Sequence, residues 1–136
     1  MGSVDRRPFL FDTSALFTLL EDEDGADRVA ALLRSEKVYL SWVSLLEVHY
    51  VSRQERGEAV ANGRLALLKQ LPVEIIWQHD EPALLQASRF KAQNRISLAD
   101  ALIAAIASRL NAVLVHKDPE LEALNGIVEL EALPYK

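Results

Sequence analysis

A three-layer α/β/α sandwich with a mainly parallel central sheet is the fold that the sequence predicts. Two patterns carry this reading. Short apolar runs alternate with segments of helical spacing along the chain, and no fixed-period repeat, low-complexity tract or long linker interrupts them. Size agrees: 136 residues, 50% hydrophobic and 26% charged, suit a single domain over 1–136 with a continuous core, its first seven residues flexible.

The first strand is Pro8-Phe9-Leu10-Phe11, ending at Asp12-Thr13-Ser14, and Ala15 to Leu20 reads as the helix after it. Glu21-Asp22-Glu23-Asp24-Gly25 breaks that helix and reads as a solvated loop. Helical spacing resumes from Asp27 to Glu36 through Val29, Leu32 and Leu33, and Val38 to Ser41 forms a second strand. Ser44 to Arg56 is helical. Gly57 and Gly63 interrupt a further helical stretch to Gln70, which Pro72 closes before the strand Val73 to Ile76. Pro82 opens a helix through about Asn94, and Ser97 to Asn111 is a long one. Ala112 to Val115 is a strongly buried strand, Pro119 starts a short helix and Ile127 to Leu130 is the last strand.

Composition narrows the chemistry. With no cysteine, disulfides, thiolate zinc sites and cysteine nucleophiles are excluded, and a bound metal must take oxygen or imidazole ligands, which favours magnesium or manganese. The apolar run Ala101 to Ala107 is too short for a bilayer and the first residues lack the apolar segment of a signal peptide, so a soluble, cytoplasmic protein is expected. A net charge of -5 is opposite to that of a protein gripping nucleic acid through phosphates alone. Carboxylates that hold cations reverse the local field, however, so nucleic acid stays open.

Four acids stand out. In parallel α/β sheets ligands bind beyond the carboxyl ends of the strands. Asp12 follows the first strand there, Glu47 lies one turn into the helix after the second, and Asp118 follows the fourth. Asp100 sits in an apolar helix with no Lys or Arg within a turn, a place where an unpaired charge is costly. Each also has a simpler reading. Ser44-x-x-Glu47 and Ser97-x-x-Asp100 have capping-box spacing, and Asp118-Pro119 suits an N-cap. Taken singly, capping is the better account of each; taken together, acids at one end of one layer would repel strongly without a cation between them.

With these motifs in place the sequence resembles the PIN-domain nucleases, and within them the VapC-type toxins of toxin-antitoxin pairs. Phe11-Asp12-Thr13-Ser14-Ala15-Leu16, Ser44-Leu45-Leu46-Glu47-Val48 and Leu98 to Ala107 are similar to the family's first three motifs, in order and spacing, over nearly the whole chain. The fourth, Val115-His116-Lys117-Asp118-Pro119-Glu120, keeps the acid but has His116 where many members carry a hydroxyl residue. The resemblance implies metal-dependent hydrolysis of RNA by a magnesium- or manganese-binding endoribonuclease. It implies that Asp12, Asp100 and Asp118 hold the principal ion and that Glu47 completes a second site or positions the attacking water. Ser14 matches a residue that orders the site, though a helix cap explains it equally, and Glu120 stands as an outer carboxylate. A small antitoxin, inserting a basic side chain among the acids, and a homodimer are the partners it implies.

Other residues are discounted. His49, His79 and His116 lack the mutual spacing of a zinc triad and read as surface or partly buried, with His116 alone, beside Asp118, kept as a supporting residue of the site. Arg53, Arg56, Arg64, Lys69, Arg89, Lys91 and Arg95 are read as mostly scattered and exposed, Trp42 as core, and Leu65, Leu67 and Leu68 as core or a dimer face. Two rival readings stand beside the nuclease: a PIN-like binding module without catalysis, and a magnesium-binding phosphoacceptor of the receiver type. The second fits less well, because Asp12 lacks a paired acid and Val73 to Trp77 ends without an acceptor.

Overall fold

The computed structural model describes residues 6–136. The expected flexibility of residues 1–7 falls mainly on 1–5, outside the described residues; Arg6 and Arg7 lie near Glu36 and Glu129, at 3.7 and 3.5 Å. The chain runs β1 (Phe9–Phe11), α1 (Thr13–Leu20), α2 (Ala26–Ser35), β2 (Val38–Ser41), α3 (Trp42–Arg56), α4 (Glu58–Gln70), β3 (Glu74–Ile76), α5 (Glu81–Gln93), α6 (Leu98–Leu110), β4 (Val113–His116), a 3-10 segment (Pro119–Leu124) and β5 (Leu130–Ala132). All five strands are parallel, in the order β3-β2-β1-β4-β5.

Strand alternation splits the core in two, as a buried parallel sheet requires. Leu10 and Leu114 face one cluster with Ala101, Ile103, Ala104 and Ala107 of α6 and Phe90 of α5. Phe11, Leu40 and Val115 face the other, with Leu16 of α1, Val29 and Leu32 of α2 and Leu68 of α4. Helices therefore cover both faces, giving the expected three layers. From β1 the chain winds outward through β2 and β3, then returns to the other side of β1 with β4 and β5. The order reverses between β1 and β4, and the crevice beyond their carboxyl ends is where such sheets bind ligands.

Several boundaries differ from the sequence reading for local reasons. α3 starts at Trp42 rather than Ser44, because Ser41 is its N-cap and accepts from the amide of Val43 at 3.1 Å. Only Gly57, with φ at +91°, interrupts the helix between α3 and α4; Gly63 continues α4. The last strand comes later than expected, at Leu130–Ala132, because the 3-10 segment and Gly126, with φ at +86°, use up the residues before it. The acidic loop is not simply solvated: Glu21 lies 3.2 Å from the Arg64 guanidinium, and Glu23 pairs with Lys117 and Lys136. Leu68 is fully buried and Leu65 packs on the same cluster, so they are core rather than a dimer face. Both outer strands are three residues long; Glu74 on β3 pairs with Lys37, and Glu131 on β5 takes the Arg28 guanidinium through two hydrogen bonds. Among the described residues no helix is long and apolar enough to cross a membrane.

Gly25 caps α2 with φ at +102°, and a Cβ there would meet Leu133 Cβ and Pro134 Cδ, both at 3.2 Å. Gly57 shares the positive φ but not the ψ, at 170° against -10° for Gly25, and a Cβ there meets nothing within 4 Å. Gly25→Ala should therefore cost about 1 kcal/mol for its left-handed backbone and about 1 kcal/mol or more again for the clash. Urea unfolding of Gly25→Ala measures the sum, and a loss of only about 1 kcal/mol would contradict the close packing of the Leu133 segment on α2.

Candidate functional site

The crevice between β1 and β4 gathers the acids that the sequence singled out. One cleft of about 290 Å³ is lined by Asp12, Thr13, Ser14, Phe17, Glu47, Ser97, Asp100, Asp118 and Glu120. Four elements deliver them. Asp12 follows β1 and is locked to β4 by its amide, which donates to the Val115 carbonyl at 3.1 Å. Glu47 comes from α3, Asp100 from the first turn of α6, and Asp118 and Glu120 from the start of the 3-10 segment after β4.

Asp12 is buried, with 2% of its surface exposed. Its Oδ1 accepts from the Ala15 amide at 2.8 Å, so it caps α1, and the Ser14 hydroxyl lies 2.7 and 2.9 Å from its two oxygens. Ser14 Oγ in turn accepts the Lys117 amide at 2.8 Å. One hydroxyl thus joins the end of β1 to the loop that carries Asp118. Asp118 also caps its segment, its Oδ1 accepting from the Glu120 amide at 2.9 Å, and the Ser97 hydroxyl accepts from the Asp100 amide at 3.0 Å. The capping role therefore holds for Asp12 and Asp118, and for Asp100 through Ser97.

It fails for Glu47. Ser44 lies inside α3, buried, with its hydroxyl unpartnered, and Glu47 is beyond the first turn. The Glu47 carboxylate instead accepts from the Thr13 hydroxyl. Thr13 is the residue that sequence reasoning passed over; its place between Asp12 and Ser14 gave no sign that it would reach a side chain 34 positions away.

The three carboxylates that come closest are Asp100, Asp118 and Glu120, each offering an oxygen within 4.8 Å of the others'. Glu120 is thus nearer the cluster than an outer position implies, while Asp12 lies deeper, its oxygens engaged by Ser14 and Ala15. α6 is also less enclosed than expected: Leu98 is 63% exposed and Asp100 only partly buried.

Among the described residues no cationic side chain lines this cleft. Burial pushes the Asp12 carboxyl up to about 7, against hydrogen bonds from Ser14 and Ala15 that lower it, with the charges of Asp100 and Asp118 adding to the rise. Burial, then the charges of Asp118 and Glu47, push Asp100 up to about 7 as well. An oxygen-only donor set of this kind, held on rigid elements, suits a hard divalent cation.

His116, expected at or near the surface, is fully buried at the end of β4. Its Nδ1 accepts from the Asp118 amide at 3.1 Å. The other nitrogen therefore carries the proton and lies 3.2 Å from Glu122 Oε2, close but not aligned for a hydrogen bond. Burial holds this imidazole below its usual range, against the pull of Glu122. The ring does in part what a hydroxyl two places before the acid would do: it fixes the backbone of Asp118. His49 is partly exposed and bonded to Asn62.

A family profile described as PIN domain matches residues 9–127. Comparison with curated proteins gives no match. Among solved structures, the fold is similar to VapBC2 from Rickettsia felis bound to a promoter DNA fragment, at a TM-score of 0.76 and 16% identity over 93% of this chain and 98% of that one. It is similar to DNA-bound VapBC from Salmonella typhimurium, at 0.72 and 19% over 93% and 98%. VapC20 of Mycobacterium tuberculosis, a toxin that cleaves the sarcin-ricin loop, superimposes at 0.72 and 18% over 93% and 99%. The receiver-type alternative is set aside, since the order β3-β2-β1-β4-β5 is not the 2-1-3-4-5 order of receiver-like sheets.

A carboxyl whose pKa is raised in the folded state binds its proton more tightly there. The associated stability is complete below the ordinary value of 3.8 and is lost as pH rises toward about 7. In the presence of a chelator, stability should therefore fall between about pH 5 and pH 7, and Asp100→Asn should be more stable than the parent near pH 7 by about 2 kcal/mol. Thermal unfolding of both proteins across this range tests it; a variant no more stable at pH 7 than at pH 5 relative to the parent would exclude the crowding of charge described above. With the profile covering most of its length and the fold in agreement, the chain belongs to the PIN domain family.

Proposed function

We propose that this chain is a magnesium- or manganese-dependent endoribonuclease and the toxin of a toxin-antitoxin pair. The observation that carries the reading is the convergence of Asp12, Glu47, Asp100, Asp118 and Glu120 on one cleft without a cationic side chain among them. Asp100, Asp118 and Glu120 would hold the principal ion, with Asp12 behind them and Glu47 opposite. A divalent ion bound there supplies the charge that orients the scissile phosphate, acidifies a water and offsets charge on the attacking and leaving oxygens.

The chain's own residues do the rest. Ser14 holds Asp12 by donating to it while accepting from the Lys117 amide, so the first and fourth acids keep a fixed separation. His116 holds the Asp118 backbone from the other side. Thr13 takes one Glu47 oxygen and leaves Oε2 to orient a water or to ligate a second ion. No side chain is required as a nucleophile.

RNA as substrate rests on the family and on similarity to a toxin that cleaves the sarcin-ricin loop. An antitoxin partner is supported by similarity to structures described as toxin-antitoxin, and an acidic cleft suits a basic side chain from such a partner. A homodimer is the assembly we infer alongside it: Leu84 on α5 and Leu98 on α6, 57% and 63% exposed, give that side of the molecule an apolar surface.

The test is cleavage of a labelled RNA by the purified protein with chelator, magnesium or manganese. Cutting should require the ion, and Asp100→Asn should lose more than the 10- to 100-fold typical of outer-shell changes, whereas Ser14→Ala should fall within about that range. Metal-independent cutting, or an Asp100→Asn variant as active as the parent, would overturn the assignment.

A further inference from the structure

His79 was discounted as a solitary histidine, yet both of its ring nitrogens are engaged. It lies in the loop between β3 and α5, partly buried. Trp42 Nε1 donates to its Nδ1 at 3.1 Å, and its Nε2 lies 2.8 Å from the Leu102 carbonyl oxygen. The indole N–H can only donate and the carbonyl can only accept, so the two contacts together demand the neutral tautomer protonated on Nε2. The indole and imidazole meet edge to face, with centroids 6.0 Å apart and planes at 83°.

The partners sit on two different helices. Trp42 is the first residue of α3, which carries Glu47, and Leu102 lies in α6, two residues after Asp100. Among the described residues no hydrogen bond joins α3 directly to α6; the Glu47 carboxylate accepts from Thr13 of α1, and Asp100 is tied only through its backbone amide, to the Ser97 hydroxyl. The polar tie between the two helices therefore passes through one imidazole. Their separation matters because Glu47 of α3 and Asp100 of α6 line the same cleft, where two carboxylates of like charge repel.

We propose that His79 is a positioning residue, a strut between Trp42 and Leu102 that sets the distance between α3 and α6 and hence between Glu47 and Asp100. This rests on the acids acting as a cation site, but the strut itself is a claim about helix spacing. Removing it leaves the Leu102 carbonyl with its helical partner and the Trp42 N–H without one, and lets repulsion at the cleft widen the gap.

The lack of any native cysteine allows the spacing to be measured directly. Spin labels on Leu46→Cys and Leu98→Cys, exposed positions on α3 and α6, report the distance by pulsed electron resonance. Diluted into excess unlabelled protein, so that only the distance within one chain is read, the parent should give one narrow distribution. His79→Phe, which keeps a ring but bonds to neither partner, should broaden or lengthen it, and Trp42→Phe should do the same. The double variant should do no more than either single change, since both remove one connection. In unlabelled protein, manganese affinity measured by calorimetry should weaken about tenfold in each single variant. An unchanged distribution in a folded His79→Phe or Trp42→Phe variant overturns the strut. A changed distribution with unchanged manganese affinity overturns its positioning role. If the parent itself binds no manganese, the cation reading has failed, and the distance measurement alone then decides the strut.

Discussion

Five carboxylates drawn to one end of a sheet repel one another, and much of the surrounding architecture is arranged to hold them there. Asp12 is the most demanding, a charge-bearing group in the centre of the molecule, flanked by the paired strands β1 and β4. Its burial is tolerated because two donors, the Ala15 amide and the Ser14 hydroxyl, converge on it. Of the others, Glu47 accepts from the Thr13 hydroxyl and Asp118 from the Glu120 amide, while Asp100 is fixed through its backbone amide, which donates to Ser97. Such preorganisation carries a cost in the protein alone, which a cation bound as proposed above would offset.

Capping and cation binding are then not rival explanations. A carboxylate at a helix start is fixed by the amides it accepts from, so Asp12 and Asp118 are rigid because they are caps. The remaining lone pairs are free for other work. The same economy appears at Ser14 and His116, where single groups bond across the chain to the loop holding Asp118.

Much of this was legible in the sequence. Period and punctuation located every strand and helix to within a few residues, because short parallel strands are nearly pure apolar runs and prolines and glycines mark their ends. The four acids were legible as a set, since each followed a strand or interrupted an apolar helix. What the sequence concealed was long-range. Thr13 reaching Glu47, His116 turned wholly inward and His79 bridging two helices depend on which elements the sheet order makes neighbours, and nothing within a short window encodes that. The acidic loop misled for a similar reason, since the cations paired with Glu21 and Glu23 come from α4, the loop after β4 and the chain end.

The two outer strands set a limit on how this molecule meets others. Each offers only three residues of unpaired backbone, and each bears a glutamate already committed to a lysine or arginine on a neighbouring element. An incoming β-strand would find too short a template to align on, and would have to disturb an ion pair to use it. Sheet extension, the route by which many α/β proteins aggregate or recruit extended peptides, is thereby discouraged at both ends, and recognition is left to helix surfaces and to the cleft.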